Sequence, residues 1–383
     1  MPESKRTIFQ WINSFRKTIT VEPVSLLMLI GSVIASTASQ TLALDKACRV
    51  NLNLSEAICD AVRRQDTEDN AENERIVQEY VAGLLAYKSI ITSVVPCILL
   101  IFAGGWMDVT GRRKIMMILP VVGEFAMQIS NILNVIFFYQ LRVEYLIFGE
   151  AVLSAAVGAW SIMFLAVFSY IVDITKEKNR TYRLGLVSFC VYIGMPVGAA
   201  LSGFLLKLFG YVTVYLTSLI IFVINFSYIT LLLSDPERTK AHKEVMQLIF
   251  PVHLVNSLRV LFRKTENNRT GLLCVLIASA CFVFGPMYGE SAIMYMSTRY
   301  RFGWDELQYS LFQTYNMTLN IIGTMFSILV ISKALGWHDS VLGILSTSSK
   351  ILASFVYCFA NTGTVFFLGK QSILFVILTS IKL

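Results

Sequence analysis

Long apolar runs, each about the width of a bilayer, alternate with short polar stretches along almost the whole chain. A helix needs about 20 mostly apolar residues to cross the hydrocarbon. Runs of that kind lie near 21–44, 80–107, 115–138, 145–172, 184–208, 212–233, 271–295, 308–332, 340–360 and 364–381. They are continuous and lack the period-2 alternation of a barrel strand, so the pattern predicts an all-α integral membrane fold with about ten visible spans. The first run is long and begins behind Lys5, Arg6, Arg16 and Lys17. It reads as a retained span and not as a cleaved signal peptide.

Composition agrees: 55% of the 383 residues are hydrophobic and 15% charged, with mean hydropathy +0.64. The net charge of +7 is placed with a purpose. Basic residues collect in the N-terminal tail, at Arg112, Arg113 and Lys114, at 176–183 and at 238–269, which fall on one side if the spans alternate. The positive-inside rule makes that side cytoplasmic, together with the N-terminus, and leaves no reason for a nucleic-acid partner. Of seven cysteines, Cys97, Cys190, Cys274, Cys281 and Cys358 lie inside apolar runs and read as small core residues. Cys48 and Cys59 share the first loop on the opposite side, where an oxidising compartment would let them pair as a disulfide. Asn53, followed by Leu54 and Ser55, is an N-glycosylation acceptor in the same loop; the acceptors at Asn179 and Asn268 fall on the cytoplasmic side and are expected to stay unmodified.

Loop lengths divide the chain into a cytoplasmic tail (1–20), an N-terminal six-helix half (21–233), a basic inter-half loop (234–269) and a second transmembrane half (270–383). Residues 45–79 read as a long acidic outer loop. Two six-helix halves joined by such a loop are the plan of a large carrier class, so the second half is expected to be incomplete. The text ends "TGTVFFLGKQSILFVILTSIKL" without a polar tail, as truncation, alternative splicing or a gene-model error would leave it.

The stretch "GGWMDVTGRRK" at 104–114 places a charge cluster at the cytoplasmic end of the second run. Gly104 and Gly105 allow close helix packing. Asp108 sits where the helix dipole is already negative and needs a cationic partner, and Gly111 permits the turn that brings Arg112 and Arg113 back toward it. A positive-inside anchor would explain the arginines alone. The spacing of the glycines and Asp108 between the second and third spans resembles the signature of the major facilitator superfamily, departing from it at Val109, where a basic residue is usual. The resemblance implies a gate that holds two halves together on the cytoplasmic side, with Asp108 facing the eleventh helix, which this chain lacks. "DITKEKNRTYRLG" at 173–185 resembles the matching loop and offers Asp173, Arg180 and Arg183 to the Asp108–Arg112 network, or to solvent. "GMPVGAALSG" at 194–203 marks a bend, with Pro196 freeing a carbonyl.

"TVEPV", the cysteine-containing loop, "DVTGRRK", "NRTYRLGL" and "YRFGWDELQYSLF" together resemble solute carrier family 46, the proton-coupled folate transporter family, in particular a lysosomal-branch or insect-type relative. That resemblance implies a small organic solute, an organic anion such as a folate or a steroid conjugate, in a plasma or lysosomal membrane. His242, His253 and His338 all fall in cytoplasmic segments, and Ser188 stands where the folate carrier is expected to have an acid, so folate itself fits poorly.

Charges inside the bilayer cost about 2.5–3.5 kcal/mol each on the insertion scale and mark function. Lys88, Glu124, Glu150, Glu290 and Lys350 are the candidates for proton coupling or substrate contact, and Lys207 lies at a rim. Glu290, beside Gly285, Pro286 and Gly289, heads the proton sites, with Glu150 second; for each the alternative is a headgroup-level residue in water. Glu124 and Lys88 can pair between spans three and two. Trp106, Trp304 and Trp337 read as an interfacial belt, and Trp160 as mid-span, lining a path or packed. Enzyme motifs, metal-ligand spacings and phosphate-binding loops are absent from the sequence. The sequence therefore predicts no enzyme, no ATP and no cofactor, but a secondary carrier with the proton as coupling ion and alternating access. The second reading is a truncated, non-transporting membrane protein with a regulatory or receptor-like role.

Overall fold

The computed structural model describes residues 20–64, 71–175, 177–235, 269–326 and 339–369. In chain order these form α1 (Glu22–Lys46), α2 (Glu56–Arg64), α3 (Ala71–Thr110), α4 (Arg113–Ile136), α5 (Val143–Ala155), α6 (Ala159–Ile174), α7 (Glu177–Leu232), α8 (Arg269–Phe302), α9 (Glu306–Phe326), α10 (Asp339–Phe359) and α11 (Gly363–Gly369), with no strand among the described residues. Five segments among them are long and apolar enough to cross a membrane. Antiparallel passes give the bundle two ends: a basic end at Arg112–Lys114 and a disulfide end at Cys48 and Cys59.

The acidic stretch 45–79 is largely helical and not a loop. α1 runs on through a wider turn, Ala47–Asn51, and α2 and the start of α3 occupy most of the rest. The Cys48–Cys59 disulfide staples α2 to the end of α1, and Arg49 pairs with Asp45 (2.8 Å) and Asp60. Asn53 is exposed in the turn between them, with φ 48°.

The run 145–172 is not one helix. It breaks between α5 and α6, where Gly158 takes φ 77° and a β-carbon would lie 2.2 Å from Ile162 Cδ1. Glycine is the residue that reaches this left-handed region without steric cost. The fifth and sixth runs, in contrast, are joined as α7 across non-helical backbone at Gly210, φ 75°. The glycines near Pro196 serve packing: β-carbons at Gly194 and Gly198 would lie 3.3 Å from Leu26 O and 2.9 Å from Val33 Cβ, so α7 lies tight against α1.

α1 is the innermost helix. On α7, Ser202, Ser218 and Asn225 donate to the carbonyls of Ile34 (2.7 Å), Gly31 (2.8 Å) and Val24 (3.2 Å). Small and polar side chains of this kind draw helices together where lipid gives no hydrophobic drive.

Two composition readings are corrected by the packing. Cys97, Cys274, Cys281 and Cys358 are exposed on the bundle surface and Cys190 is half-buried, because a span in lipid turns apolar residues outward as readily as inward. Trp304 is buried and does not sit in a belt. It stacks among Phe302, Phe312, Phe366 and Phe367, with centroids 5.0–5.8 Å away, an arrangement aromatic quadrupoles favour.

Candidate functional site

Each end of the bundle has its own ion pairs. At the basic end Arg113, nearly buried, reaches Asp173 (3.0 Å), and Arg183 donates to Glu22 (2.8 Å) and to Thr20 Oγ1 (2.8 Å). Glu22 is itself buried and accepts from the backbone N–H groups of Thr20 and Val21. Lys114 donates through its backbone to Asp235 and through Nζ to the Thr230 carbonyl. Arg183 thus joins Glu22, and Arg112 is exposed. The side chains of Asp108, Arg180 and Lys350 lie outside the described residues, as do Trp337 and the three histidines. Gly111 leaves α3 at φ 68° and donates to the Met107 carbonyl (3.0 Å), and Gly104 meets Leu165 of α6 at ordinary contact distance.

Glu22 escaped the sequence reading although the signal was present: an acid in the first turn of a span is a charge that needs a partner. Arg113 and Asp173 meet at this end, a pairing that distance along the chain gave no way to read.

Between the ends lies a cavity of about 350 Å³, lined by α1, α3, α4, α5 and Trp160 of α6. Its polar wall is built from one helix face at a time. α1 presents Ser32, Ser36, Ser39 and Gln40; α3 presents Lys88, Ser89 and Thr92; α4 and α5 bring Glu124 and Glu150. Residues three and four apart share a helix face, and Ser32, Ser36 and Ser39 have that spacing.

Glu150 is 4% exposed. It accepts from Lys88 Nζ (2.5 Å), Ser39 Oγ (2.5 Å) and Asn131 Nδ2 (2.8 Å), and Ser39 lies 3.3 Å from the Tyr215 hydroxyl. Lys88 and Glu150 both line the cavity, Lys88 with 28% of its side chain exposed and Glu150 with 5%. The expected Lys88–Glu124 pair is not formed. Lys88 is held by Glu150, and Glu124, 3% exposed, accepts from Ser32 (3.1 Å). Asn131, Ser39 and Tyr215 had no sequence signal beyond being polar within apolar runs. Glu290 is half-buried on α8 and does not line this cavity, and Lys207 stands exposed 3.8 Å from Asp305.

The second block meets the first toward the disulfide end. Arg299 of α8 reaches Glu74 of α3 (3.1 Å) and donates to the Val62 carbonyl of α2. Thr41 lies 2.9 Å from the Tyr295 hydroxyl, and a β-carbon at Gly203 would come 2.7 Å from Ser310 Cβ on α9.

Known proteins share this architecture. A crystal structure of a D-xylose–proton symporter superposes with TM-score 0.58 at 14% identity, covering 94% of this chain and 78% of that one. The inward-open xylose transporter XylE from E. coli gives 0.55 at 14%, covering 94% and 79%; both likenesses are of fold. Among curated sequences, the lysosomal proton-coupled steroid conjugate and bile acid symporter SLC46A3 of Mus musculus is 25% identical over 70% of this chain and 57% of its own length. The probable peptidoglycan muropeptide transporter SLC46 of Drosophila melanogaster is 21% identical over 88% and 67%, and the proton-coupled folate transporter of Bos taurus 26% over 49% and 42%. The chain spans about 57% of the length of the first of these relatives. The profile of the Major Facilitator Superfamily matches residues 77–381, and with the helical architecture and solute carrier 46 relatives in agreement, the chain belongs to the major facilitator superfamily.

Proposed function

We propose that this multi-pass membrane protein is a proton-coupled carrier of a small organic anion, working by alternating access, with the Lys88–Glu150 pair as the coupling site. The observation that carries the reading is a lysine–glutamate ion pair, 2.5 Å, both members of which line the cavity. A solute anion arriving at Lys88 competes with Glu150 for the same ammonium. A buried carboxylate that loses its cation is costly, and taking up a proton removes that cost. Solute and proton are thereby loaded together, and the reverse exchange releases both.

Several features of the chain support the wider setting. The basic end faces the cytoplasm by the positive-inside rule, which puts Asn53 and the disulfide on the opposite side. Similarity to a lysosomal proton-coupled steroid conjugate and bile acid symporter favours a lysosomal membrane and a conjugate as solute. Asp108, Gly111, Arg112, Arg113, Asp173, Arg180 and Arg183 are proposed as the cytoplasmic gate. The contacts of Arg299, Tyr295 and Ser310 are proposed as the seam at the other end.

Uptake of a labelled steroid sulfate by cells or proteoliposomes carrying the protein tests the coupling. Wild-type uptake should rise as pH falls on the loading side. Glu150→Gln should flatten that dependence, and Lys88→Gln should weaken uptake at every pH. Glu290, half-buried on α8, is the second carboxylate to test. If Glu150→Gln keeps the full pH dependence and Glu290→Gln loses it, the coupling site moves to Glu290 and the exchange at Lys88 is wrong.

A further inference from the structure

Three charged side chains line the cavity: Lys88, Glu150 and Glu124. The first two neutralise one another. Glu124 does not share in that pair. It accepts from the Ser32 hydroxyl (3.1 Å) and is hydrogen-bonded by the Trp160 side chain, and no ion pair within 4.0 Å reaches it among the described residues. The wall as built therefore carries one carboxylate more than it has ammonium groups.

Position separates the two poles. Glu150 is tied to Ser39 and Glu124 to Ser32, seven residues apart on α1. At 1.5 Å per residue the two anchors are about 10 Å apart along the helix axis. Trp160 lines the cavity together with Glu124 and hydrogen-bonds it, which fixes that carboxyl group at the cavity wall. A buried carboxyl group without a cation either holds a proton or takes a cation, and an incoming ammonium supplies the second. Between the poles, Ser36, Ser89, Thr92 and Gln40 supply neutral hydrogen-bonding groups.

We infer that the cavity takes a dipolar solute, an organic anion that also bears an ammonium group, with its anionic end at Lys88 and its ammonium at Glu124 beside Trp160. This rests on the Lys88–Glu150 reading for the anionic end and adds a second subsite to it. Loading then leaves the cavity electrically balanced: the solute anion answers Lys88, the solute ammonium answers Glu124, and a proton from solvent neutralises Glu150. No bond to carbon forms or breaks, and the net transfer is one solute and one proton.

The test is equilibrium binding to the purified full chain of three probes of matched length: octanoate, ω-aminooctanoate and N-acetyl-ω-aminooctanoate. Charge-assisted hydrogen bonds are the strong ones, and ω-aminooctanoate is expected to bind about tenfold or more tightly than the other two. Glu124→Gln should erase that preference while leaving octanoate binding intact. Glu124→Asp, which keeps the charge, should retain part of it, as a merely structural role for Glu124 would not require. Equal binding of all three probes to wild type, or an amine preference surviving in Glu124→Gln, overturns the proposal.

The anionic reading is judged separately in the same experiment, by whether octanoate binding strengthens as pH falls and whether Glu150→Gln removes that dependence. pH-dependent octanoate binding without amine preference sinks the dipolar solute alone. Failure of all three probes to bind counts against both readings.

Discussion

Arg299 and Glu74, 225 positions apart in the chain, meet at 3.1 Å with each side chain 3% exposed. The pair ties α8 to α3 across the two blocks of helices. The second donation of Arg299, to the Val62 carbonyl, brings in α2 and with it the disulfide-stapled segment.

Removing one member of a buried pair strands the other, at about 3–5 kcal/mol, whereas replacing both by apolar groups is close to neutral. Glu74→Leu and Arg299→Met are each expected to lower the melting temperature of the detergent-solubilised protein. The double variant should recover most of the loss, short of the unpaired Val62 carbonyl. Additive losses in the double variant would show that the two residues act independently.

Gly158 offers a test of backbone strain. A β-carbon there meets a left-handed φ and Ile162 at once. The conformational part alone is about 1–2 kcal/mol. Gly158→Ala should destabilise, and adding Ile162→Ala should return only the steric part of the melting shift. An unchanged melting temperature in Gly158→Ala would mean that the α5–α6 break relaxes freely.

The staple between Cys48 and Cys59 closes a short loop, with a sequence separation of 11. Loops of this size give about 2–4 kcal/mol when cross-linked. Alkylation followed by mass spectrometry should label Cys97, Cys274 and Cys281 without reductant, and Cys48 and Cys59 only with it. Cys48→Ser should lower the melting temperature by an amount that reductant reproduces in the wild type. Labelling of Cys48 without reductant would remove the bond from the description.

Membrane spanning was legible because it depends on sums over twenty residues, which a sequence displays directly. Partner choice was not. Lys88 faces two carboxylates on different helices, and nothing local distinguishes Glu124 from Glu150. The choice is made by the packing of α4 and α5 against α1 and α3, which sets Glu150 2.5 Å from Lys88 Nζ and Glu124 against Ser32. Trp304 illustrates a different limit. Near the end of a span an aromatic reads as interfacial, and only the arrival of Phe366 and Phe367 from a helix more than sixty residues away buries it. Glu22 was the avoidable miss, since its charge within the first turn of a span was in plain view.

The notch at Gly194 and Gly198 has a mechanical consequence. α7 is seated against α1 so closely that a β-carbon at Gly198 would collide with Val33, and any larger residue there would force the two helices apart. On α1, Ser32 and Ser39 hold the two carboxylates of the cavity, and α7 at Gly203 bears on Ser310 of the opposite block. One unbroken line of close contact therefore runs from the serines that hold both carboxylates to the second block, and a bulkier residue at Gly198 or Gly203 would disturb the cavity and the seam together.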